Sequence, residues 1–214
     1  MSVDCTYRGQ AGPEFQVDFR RFEMLHPDGQ RLVRGWFKKA HDAMTEDDEC
    51  FEAFIFAWFA VNGWAACVTG KDRDADYIRA LQHSTELAEK YQALLQDDRK
   101  FAVAAWKFRK FWPIFRAQDI RRAGHRSPAA SDRPAVVQHY FDCHLRVFEP
   151  RCWKSHQEAG EDVPLDWPHA LAAIYRVRCN LFHGEKSAHS EMDREIVGTA
   201  LLVLVTFFRL ARIL

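Results

Sequence analysis

The chain has no excess of charge of either sign and no closely spaced cysteine pair. Its 30 Lys and Arg residues balance 30 Asp and Glu residues, so the net charge points to no particular partner. The six cysteines are scattered without a CxxC motif, and several lie in apolar segments. This usage favours a reduced protein of the cytoplasm over a disulfide-stabilised secreted protein.

Targeting, membrane and common catalytic signatures are also missing. Residues 1–15 contain no basic run followed by an apolar stretch, so we expect no secretory signal there. In the last predicted helix, the uncharged run Ile196–Phe208 is shorter than the roughly 20 residues that cross a bilayer. Gly-rich phosphate loops and the GxSxG and HExxH motifs do not occur. We therefore expect no membrane partner and no cofactor.

What the chain has in abundance is apolar residues at helical spacing. Hydrophobic residues make up 48% of its 214 residues and include 17 Phe and 7 Trp, enough for one large packed core. Apolar positions recur every three or four residues, and no stretch alternates convincingly with a period of two. We predict an all-α protein, a helical bundle of about six to eight helices that forms a single domain over residues 1–214.

The predicted helices are separated by turn-forming residues. A helix over residues 15–25 precedes a turn at 27–29, and an apolar helix that should be central runs from residue 50 until Gly70 ends it. Longer irregular connections are expected at 113–133 and 149–168. Further helices are predicted over residues 32–40, 74–95, 97–112, 134–148, 168–184 and 190–214.

The segment YRVRCNLFHG, residues 175–184, places three chemically active side chains near a helix end. His183 belongs to the side-chain type that titrates near neutrality when unperturbed, and Arg178 is a permanent cation whose planar fork suits a phosphate. Asn180 adds a neutral hydrogen-bond donor and acceptor. A cation, an amide and an imidazole together suit phosphodiester chemistry, because imidazole moves protons while guanidinium stabilises charge on phosphorus oxygens.

The spacing of these residues leaves several arrangements open. Asn180 and His183 share a helix face, whereas Arg178 and His183 lie about 140° apart on an ideal helix. They can meet if the helix end departs from ideal geometry, or if the site forms between two copies of the chain. Arg176 fits the His183 face better and is a second candidate cation. The positions of Arg178 and His183 near a helix end also have a structural explanation, in which basic residues only complement the helix dipole.

The motif from Arg178 to His183 resembles the Arg-x4–6-His signature of HEPN domains (higher eukaryotes and prokaryotes nucleotide-binding). The longer stretch IYRVRCNLFHG is similar to the Apea-like HEPN group, in which a polar residue, often Asn, lies within the motif. FAWFAVNGWAA, residues 56–66, resembles an earlier core helix of that group, with Asn62 at its polar position. The resemblance leaves the helical middle of the chain, about residues 70–165, unassigned.

The resemblance implies a HEPN-like helical core, commonly dimeric, in which two Arg/His motifs meet in one cleft. Active members are metal-independent endoribonucleases, often toxins or defence effectors. Arg178 and His183 would then be the catalytic pair, and Asn180 the polar residue of the motif. Family members more often place Asn directly after the Arg, where this chain has Cys179. The expected partners are RNA, a second copy of the chain and a neutralising antitoxin protein.

The resemblance also implies a reaction, the attack of an RNA 2′-hydroxyl on the adjacent phosphate. His183 would act as general base or acid, and Arg178 would stabilise the phosphorane. Two other functions fit the same residues. One is a helical module that binds RNA or a nucleotide without cutting it, and the other is a protein-interaction scaffold in which the motif is only a helix end.

Residues 99–126 are more basic than the chain as a whole, and aromatic residues are interleaved with the cations. Lys107 and Lys110 lie among Phe and Trp residues, and Asp119 is the only acidic residue there. Cations for phosphates and rings for bases are the components of a single-strand RNA groove. An amphipathic helix with a basic solvent face and an aromatic core face explains the same pattern.

Two further features have both a functional and a structural interpretation. His139, Cys143, Cys152 and His156 follow an H-x3-C-x8-C-x3-H spacing that could bind zinc, but helical burial explains the cysteines more simply, and we expect no metal. Asn62 is the only amide in an apolar run, so it must form hydrogen bonds. It can brace the helix that carries His183 or face the site.

Overall fold

The structure is a computed structural model and describes residues 15–44, 50–122, 137–139, 141, 147–184, 186–187 and 189–214. Helices account for most of these residues, and they are joined by one two-stranded antiparallel ladder. The prediction of an all-α helical bundle is confirmed. Most of the buried apolar side chains form one continuous core.

The helices and strands have the following bounds in chain order. The helices are α1 (Arg20–Glu23), α2 (Pro27–Ala43), α3 (Cys50–Thr69), α4 (Asp74–Gln82), α5 (Thr85–Asp97), α6 (Arg99–Arg109), α7 (Ala117–Arg122), α8 (Trp153–Glu158), α9 (Trp167–Phe182) and α10 (Glu191–Leu210). The strands are β1 (Ile114–Phe115) and β2 (Phe148–Glu149). Residues 137–139 and 141 are also helical.

Helix α3 forms the centre of the bundle, as its apolar sequence predicts. It packs against α2, α10 and α4, and its buried residues include Phe54, Trp58 and Trp64. Within the described ranges, α3 is the one helix whose length and mean hydropathy of 1.5 would suffice to cross a membrane. Half of the most apolar window is buried inside the protein, and these contacts are those of a core helix.

Capping residues set several helix starts and correct two predicted boundaries. The Ser84 hydroxyl accepts a hydrogen bond from the Leu87 amide, and this cap divides the helix predicted over 74–95 into α4 and α5. Pro27 occupies the first turn of α2, so the turn predicted at residues 27–29 is the beginning of a helix. The sequence was misleading at both sites because residues that favour turns also favour the start of a helix.

The two long connections contain more structure than predicted. β1 and α7 lie in the segment predicted as irregular over 113–133, while β2 and α8 occupy much of the second connection. Ile114 pairs with Glu149, and Phe115 pairs with Phe148. Phe148 is therefore in a strand and not at the end of a helix. Strands of two residues are too short to produce a recognisable alternating pattern.

Candidate functional site

Helix α9 carries the Arg–Asn–His motif, and its two ends are defined by local interactions. The Asp166 carboxylate caps the first turn by accepting a hydrogen bond from the His169 amide at 3.3 Å. The helix ends at Phe182, and His183 is its C-terminal cap residue. Gly184 follows with a φ of 68°, a conformation that favours glycine and stops the helix as predicted.

Arg178 is held against the protein by one carboxylate and several aromatic rings. Its Nη2 atom lies 2.6 Å from Oδ2 of Asp74, and its side chain is 18% exposed. The guanidinium carbon lies 4.7 Å from the centre of the Phe182 ring and 5.6 Å from that of Trp58. The site therefore has a guanidinium in a fixed position, with its charge balanced by Asp74.

A chain of polar contacts connects Arg178 to Asn62. The Tyr77 hydroxyl donates a hydrogen bond to Oδ1 of Asn62, and the Asp74 carboxylate lies beside the same hydroxyl. Burial, followed by the negative charge of Asp74, raises the pKa of Tyr77. We call these four residues, Asn62, Tyr77, Asp74 and Arg178, the polar chain; it joins α3, α4 and α9.

The polar chain gives Asn62 the bracing role, one of the two predicted for it. The sequence pattern did not reveal Asp74 and Tyr77 as site residues. Asp74 is the first residue of α4, where an acidic side chain is already explained by the helix dipole. Their participation results from the packing of α4 against α9, which a single sequence does not specify.

His183 lies at the exposed end of α9. Its backbone amide donates to the Cys179 carbonyl at 3.1 Å, while its imidazole makes no hydrogen bond with any residue that the structure describes. Phe182 links Arg178 to His183, because it precedes His183 in the chain and its ring contacts the Arg178 guanidinium. Within the described residues no hydrogen bond joins the two side chains directly. The imidazole is therefore accessible to solvent and to a bound substrate.

Asn180 is buried and bound to main-chain atoms. It is 4% exposed, its Nδ2 atom donates to the Phe115 carbonyl at 2.8 Å, and its Oδ1 atom accepts from the Ala117 amide at 3.1 Å. These bonds attach the start of α7 and the end of β1 to α9. The Asn180 side chain is therefore occupied by main-chain partners and positions these segments, while its expected catalytic role stays a prediction.

Arg176 points to a different part of the molecule. Its Nη2 atom lies 4.0 Å from Oε1 of Glu149, at the end of β2, and it lines a cavity of about 210 Å³ between α4 and α9. The structure therefore does not bring Arg176 to His183, although the two share a helix stripe. The buried carboxylate of Glu149 attracts the Arg176 guanidinium toward β2.

The basic segment combines a core face with an open cleft. Phe101 and Phe108 of α6 are buried, as an amphipathic helix requires, whereas Lys107 and Lys110 are exposed. Trp106 is also exposed, and the Arg109 guanidinium carbon lies 4.6 Å from its ring centre. Residues 123–126 of this segment lie outside the described residues.

Three tryptophans meet beside this helix in a cleft of about 360 Å³. We call it the tryptophan cleft; its lining includes Trp106, Trp112, Trp153 and Lys110. Lys107 does not line it. The indole N–H of Trp112 is buried without a hydrogen-bond partner among the described residues, so a donor is available there. Rings, a lysine and an unused donor together suit a base and its phosphate.

The four residues with zinc-like spacing, for which no metal was expected, do not form a described cluster. The Cys152 sulfur lies 3.2 Å from Nε2 of His169, and His156 lies 3.6 Å from Oε2 of Glu161. Cys143 lies outside the described residues, and the described part of the chain contains no group of three or more potential metal ligands. The contact of Cys152 with His169 was not predicted.

Cys152, His169 and Asp166 form a hydrogen-bonded series of thiol, imidazole and carboxylate. Nδ1 of His169 contacts Oδ1 of Asp166 on the side opposite the thiol. Nucleophilic enzymes use this order of groups, but they require substrate access. Cys152 is 6% exposed and His169 is fully buried, so the series joins the start of α8 to the first turn of α9 inside the protein.

No family model, no curated protein and no solved structure matches the chain. The functional interpretation therefore depends on the motif, on the polar chain and on the tryptophan cleft.

Proposed function

We propose that the chain is a metal-independent endoribonuclease of the HEPN type, a homodimer in which Arg178 and His183 are the catalytic residues. The observation that carries the proposal is the end of α9. An exposed imidazole without a hydrogen bond to the described residues follows a guanidinium that Asp74 and Phe182 hold in place. A proton carrier and a fixed cation near the same helix end are the combination that phosphodiester transfer needs.

The reaction is the attack of a ribose 2′-hydroxyl on the adjacent phosphorus. The 2′-oxygen–phosphorus bond forms, the bond to the 5′ oxygen breaks, and that oxygen gains a proton as it leaves. His183 is the base that takes the 2′-hydroxyl proton or the acid that protonates the leaving oxygen, and two copies supply one imidazole for each step. Arg178 stabilises the phosphorane charge. DNA lacks the 2′-hydroxyl and is inert.

Two surfaces support the choice of RNA as substrate and of a second copy as partner. The tryptophan cleft supplies rings for bases, and Lys107 and Lys110 supply exposed positive charges for phosphates. An exposed aromatic surface lies beside the motif, where Phe59 and Phe182 are 39% and 40% exposed with ring centres 6.3 Å apart. A second copy that covers these rings would bring two motifs close together.

The proposed setting is the cytoplasm, with a toxin or defence role. Cys50, Cys67, Cys152 and Cys179 form no disulfide within the described part of the chain, which suits a reducing compartment. A nuclease that acts on cellular RNA harms its own host, so the proposal includes a neutralising antitoxin protein.

The test compares RNA cleavage by the wild-type protein, His183→Ala and His189→Ala in the presence of a chelator. His189 is an exposed histidine near the same helix end and is the matched control. We expect cleavage by the wild type and by His189→Ala, no cleavage by His183→Ala, and an intact DNA strand of the same sequence. Equal rates for the wild type and His183→Ala end the assignment.

One observation favours a second candidate function, an RNA-binding module that does not cut. The 2.6 Å ion pair with Asp74 already neutralises Arg178, and a substrate phosphate has to share that guanidinium. In this case RNA binds at the tryptophan cleft and remains intact with both histidine variants. Binding measured on the same RNA without cleavage products distinguishes this function from the first.

A further inference from the structure

A second cavity, lined in part by α9, has no part in the proposed reaction. It lies between α4, α9 and β2, has a volume of about 210 Å³, and its lining includes Arg79, Arg151 and Arg176. Glu149 is the one carboxylate in this lining. We call it the guanidinium cavity. Three guanidinium groups around so small a space are a concentration of positive charge that needs an explanation.

Glu149 balances only part of this charge. Its Oε1 atom lies 3.2 Å from Nε of Arg151 and 4.0 Å from Nη2 of Arg176, so one carboxylate serves two guanidinium groups. The Arg79 side chain makes no hydrogen bond or ion pair with any residue that the structure describes. The described lining residues thus carry three formal positive charges and one negative charge, an excess of two positive charges that a doubly charged anion would balance.

Arg176 also has a donor that the protein does not use. Its Nε–H is buried and has no hydrogen-bond partner among the described residues. Buried donors are almost always satisfied in native proteins, by protein atoms, by water or by a ligand. The Arg176 side chain is 15% exposed, and the residue lines the cavity. A ligand bound in the cavity could therefore be the partner of this donor.

The remaining walls limit the ligand to a compact one. Ile78, Ala75 and Ala172 provide apolar surface, and the ring of Tyr175 forms another part of the wall. His83 adds an imidazole near the guanidinium groups. The cavity therefore combines a cationic side for a charged head group with an apolar and aromatic side for a small organic body.

We propose that the guanidinium cavity binds a small phosphomonoester. A phosphomonoester carries nearly two negative charges at neutral pH, and its oxygens match the planar forks of several arginines. A phosphodiester carries only one charge and would leave the cavity with excess positive charge. This site is distinct from the Arg178–His183 motif, and the proposal does not depend on RNA cleavage.

The first experiment measures binding of phenyl phosphate and of inorganic phosphate to the full chain by titration calorimetry. Arg79→Gln should weaken binding about tenfold or more without lowering the melting temperature, since this residue is exposed and makes no hydrogen bond or ion pair with the described residues. Arg99→Gln changes an exposed arginine that does not line the cavity and should bind like the wild type. Equal affinities for the wild type and Arg79→Gln would overturn the proposal.

A second variant changes the affinity in the opposite direction. Glu149→Gln removes the only carboxylate of the lining, so phosphate affinity should rise while the affinity for dimethyl phosphate stays low. A decrease for Glu149→Gln in a protein that melts like the wild type contradicts the charge argument. Failure of the wild type to bind phenyl phosphate or inorganic phosphate at millimolar concentration overturns the proposal directly.

Competition with RNA separates the two sources of a phosphomonoester. Displacement of phenyl phosphate by an RNA with a 5′-phosphate, but not by the same RNA with a 5′-hydroxyl, assigns the site to an RNA end. No displacement by either RNA assigns it to a free small molecule, and both results support the proposal. Displacement by the 5′-hydroxyl RNA shows a site for phosphodiesters and overturns it. His183→Ala should bind phenyl phosphate like the wild type, even if no RNA is ever cut.

Discussion

Oδ2 of Asp74 lies 2.6 Å from Nη2 of Arg178, and this contact ties the first turn of α4 to the C-terminal part of α9. The same carboxylate lies beside the Tyr77 hydroxyl, which donates to Asn62. One acidic residue therefore determines where the motif guanidinium stands relative to the core helix. The catalytic proposal depends on this support, because a guanidinium that stabilises developing charge has to be positioned before the reaction begins.

Removal of this carboxylate should lower both stability and activity. We expect Asp74→Asn to reduce the free energy of unfolding by about 1 kcal/mol, because the ion pair is partly exposed and partly screened. The measurement is urea unfolding together with the rate of RNA cleavage. Asp76→Asn is the control, since Asp76 is exposed in the same first turn. Equal losses for the two variants would mean that only the helix dipole matters.

Replacement of Asn180 tests its positioning role. Asn180→Ala leaves the Phe115 carbonyl and the Ala117 amide without their partner, so we expect a loss of about 2–4 kcal/mol in the free energy of unfolding. Urea unfolding measures this loss. His183→Ala serves as the comparison, and it should change stability little because His183 is exposed. An Asn180→Ala variant that is as stable as the wild type but no longer cuts RNA would support a catalytic role for Asn180.

Alkaline pH should destabilise the protein through its buried tyrosines. Burial, with smaller contributions from Cys179 and Asp74, raises the pKa of Tyr175 from 10.0 to about 12. The folded protein holds this phenol proton more tightly than the unfolded chain does. The resulting stabilisation is fully present below pH 10 and is lost as the pH rises through about 12.

Unfolding in urea across this pH range checks the direction of the effect. Tyr175→Phe should show a smaller decrease in stability between pH 10 and 12 than the wild type. Part of the decrease remains in this variant, because burial also raises the pKa of Tyr77 and Tyr91. An unchanged slope for Tyr175→Phe contradicts the assignment.

Charge reversal beside the tryptophan cleft should weaken RNA binding. Lys110 lines the cleft and Lys107 does not, so Lys110→Glu should have the larger effect. Each variant should also reduce the dependence of binding on salt, by roughly one unit of slope per lost phosphate contact. Fluorescence of the cleft tryptophans, followed during RNA titration, reports the binding. Lys100→Glu alters another exposed lysine of α6, and an equal effect there would indicate only a general response to charge.

The aromatic surface near the motif should carry the contact between two copies. Phe59→Asp places a charge among the exposed rings of this surface and should convert the dimer to monomers, with loss of RNA cleavage. Light scattering coupled to size exclusion gives the oligomeric state. Leu202→Asp is the control, because Leu202 has the same 39% exposure on α10. A wild-type monomer that cuts RNA contradicts the dimeric site.

Features set by neighbouring residues could be predicted from the sequence, and those set by distant residues could not. The central position of α3 and the glycine at residue 184 were correct because apolar composition and a glycine stop act locally. Asp74 was missed, and the main-chain contacts of Asn180 were not anticipated, since their partners lie on other elements. Asn180 has the residue type and position of a catalytic amide, and only the structure reveals that its side chain is buried and bound to main-chain atoms.

The hydrogen bonds of Asn180 to the main chain connect two distant parts of the molecule. It lies between Arg178 and His183 in the chain, and the carbonyl that it holds belongs to Phe115, three residues after a wall of the tryptophan cleft at Trp112. A backbone segment of three residues thus connects the cleft where bases would stack to the amide side chain on the helix that carries His183. The proposed binding surface and the proposed catalytic helix therefore share one hydrogen-bonded connection.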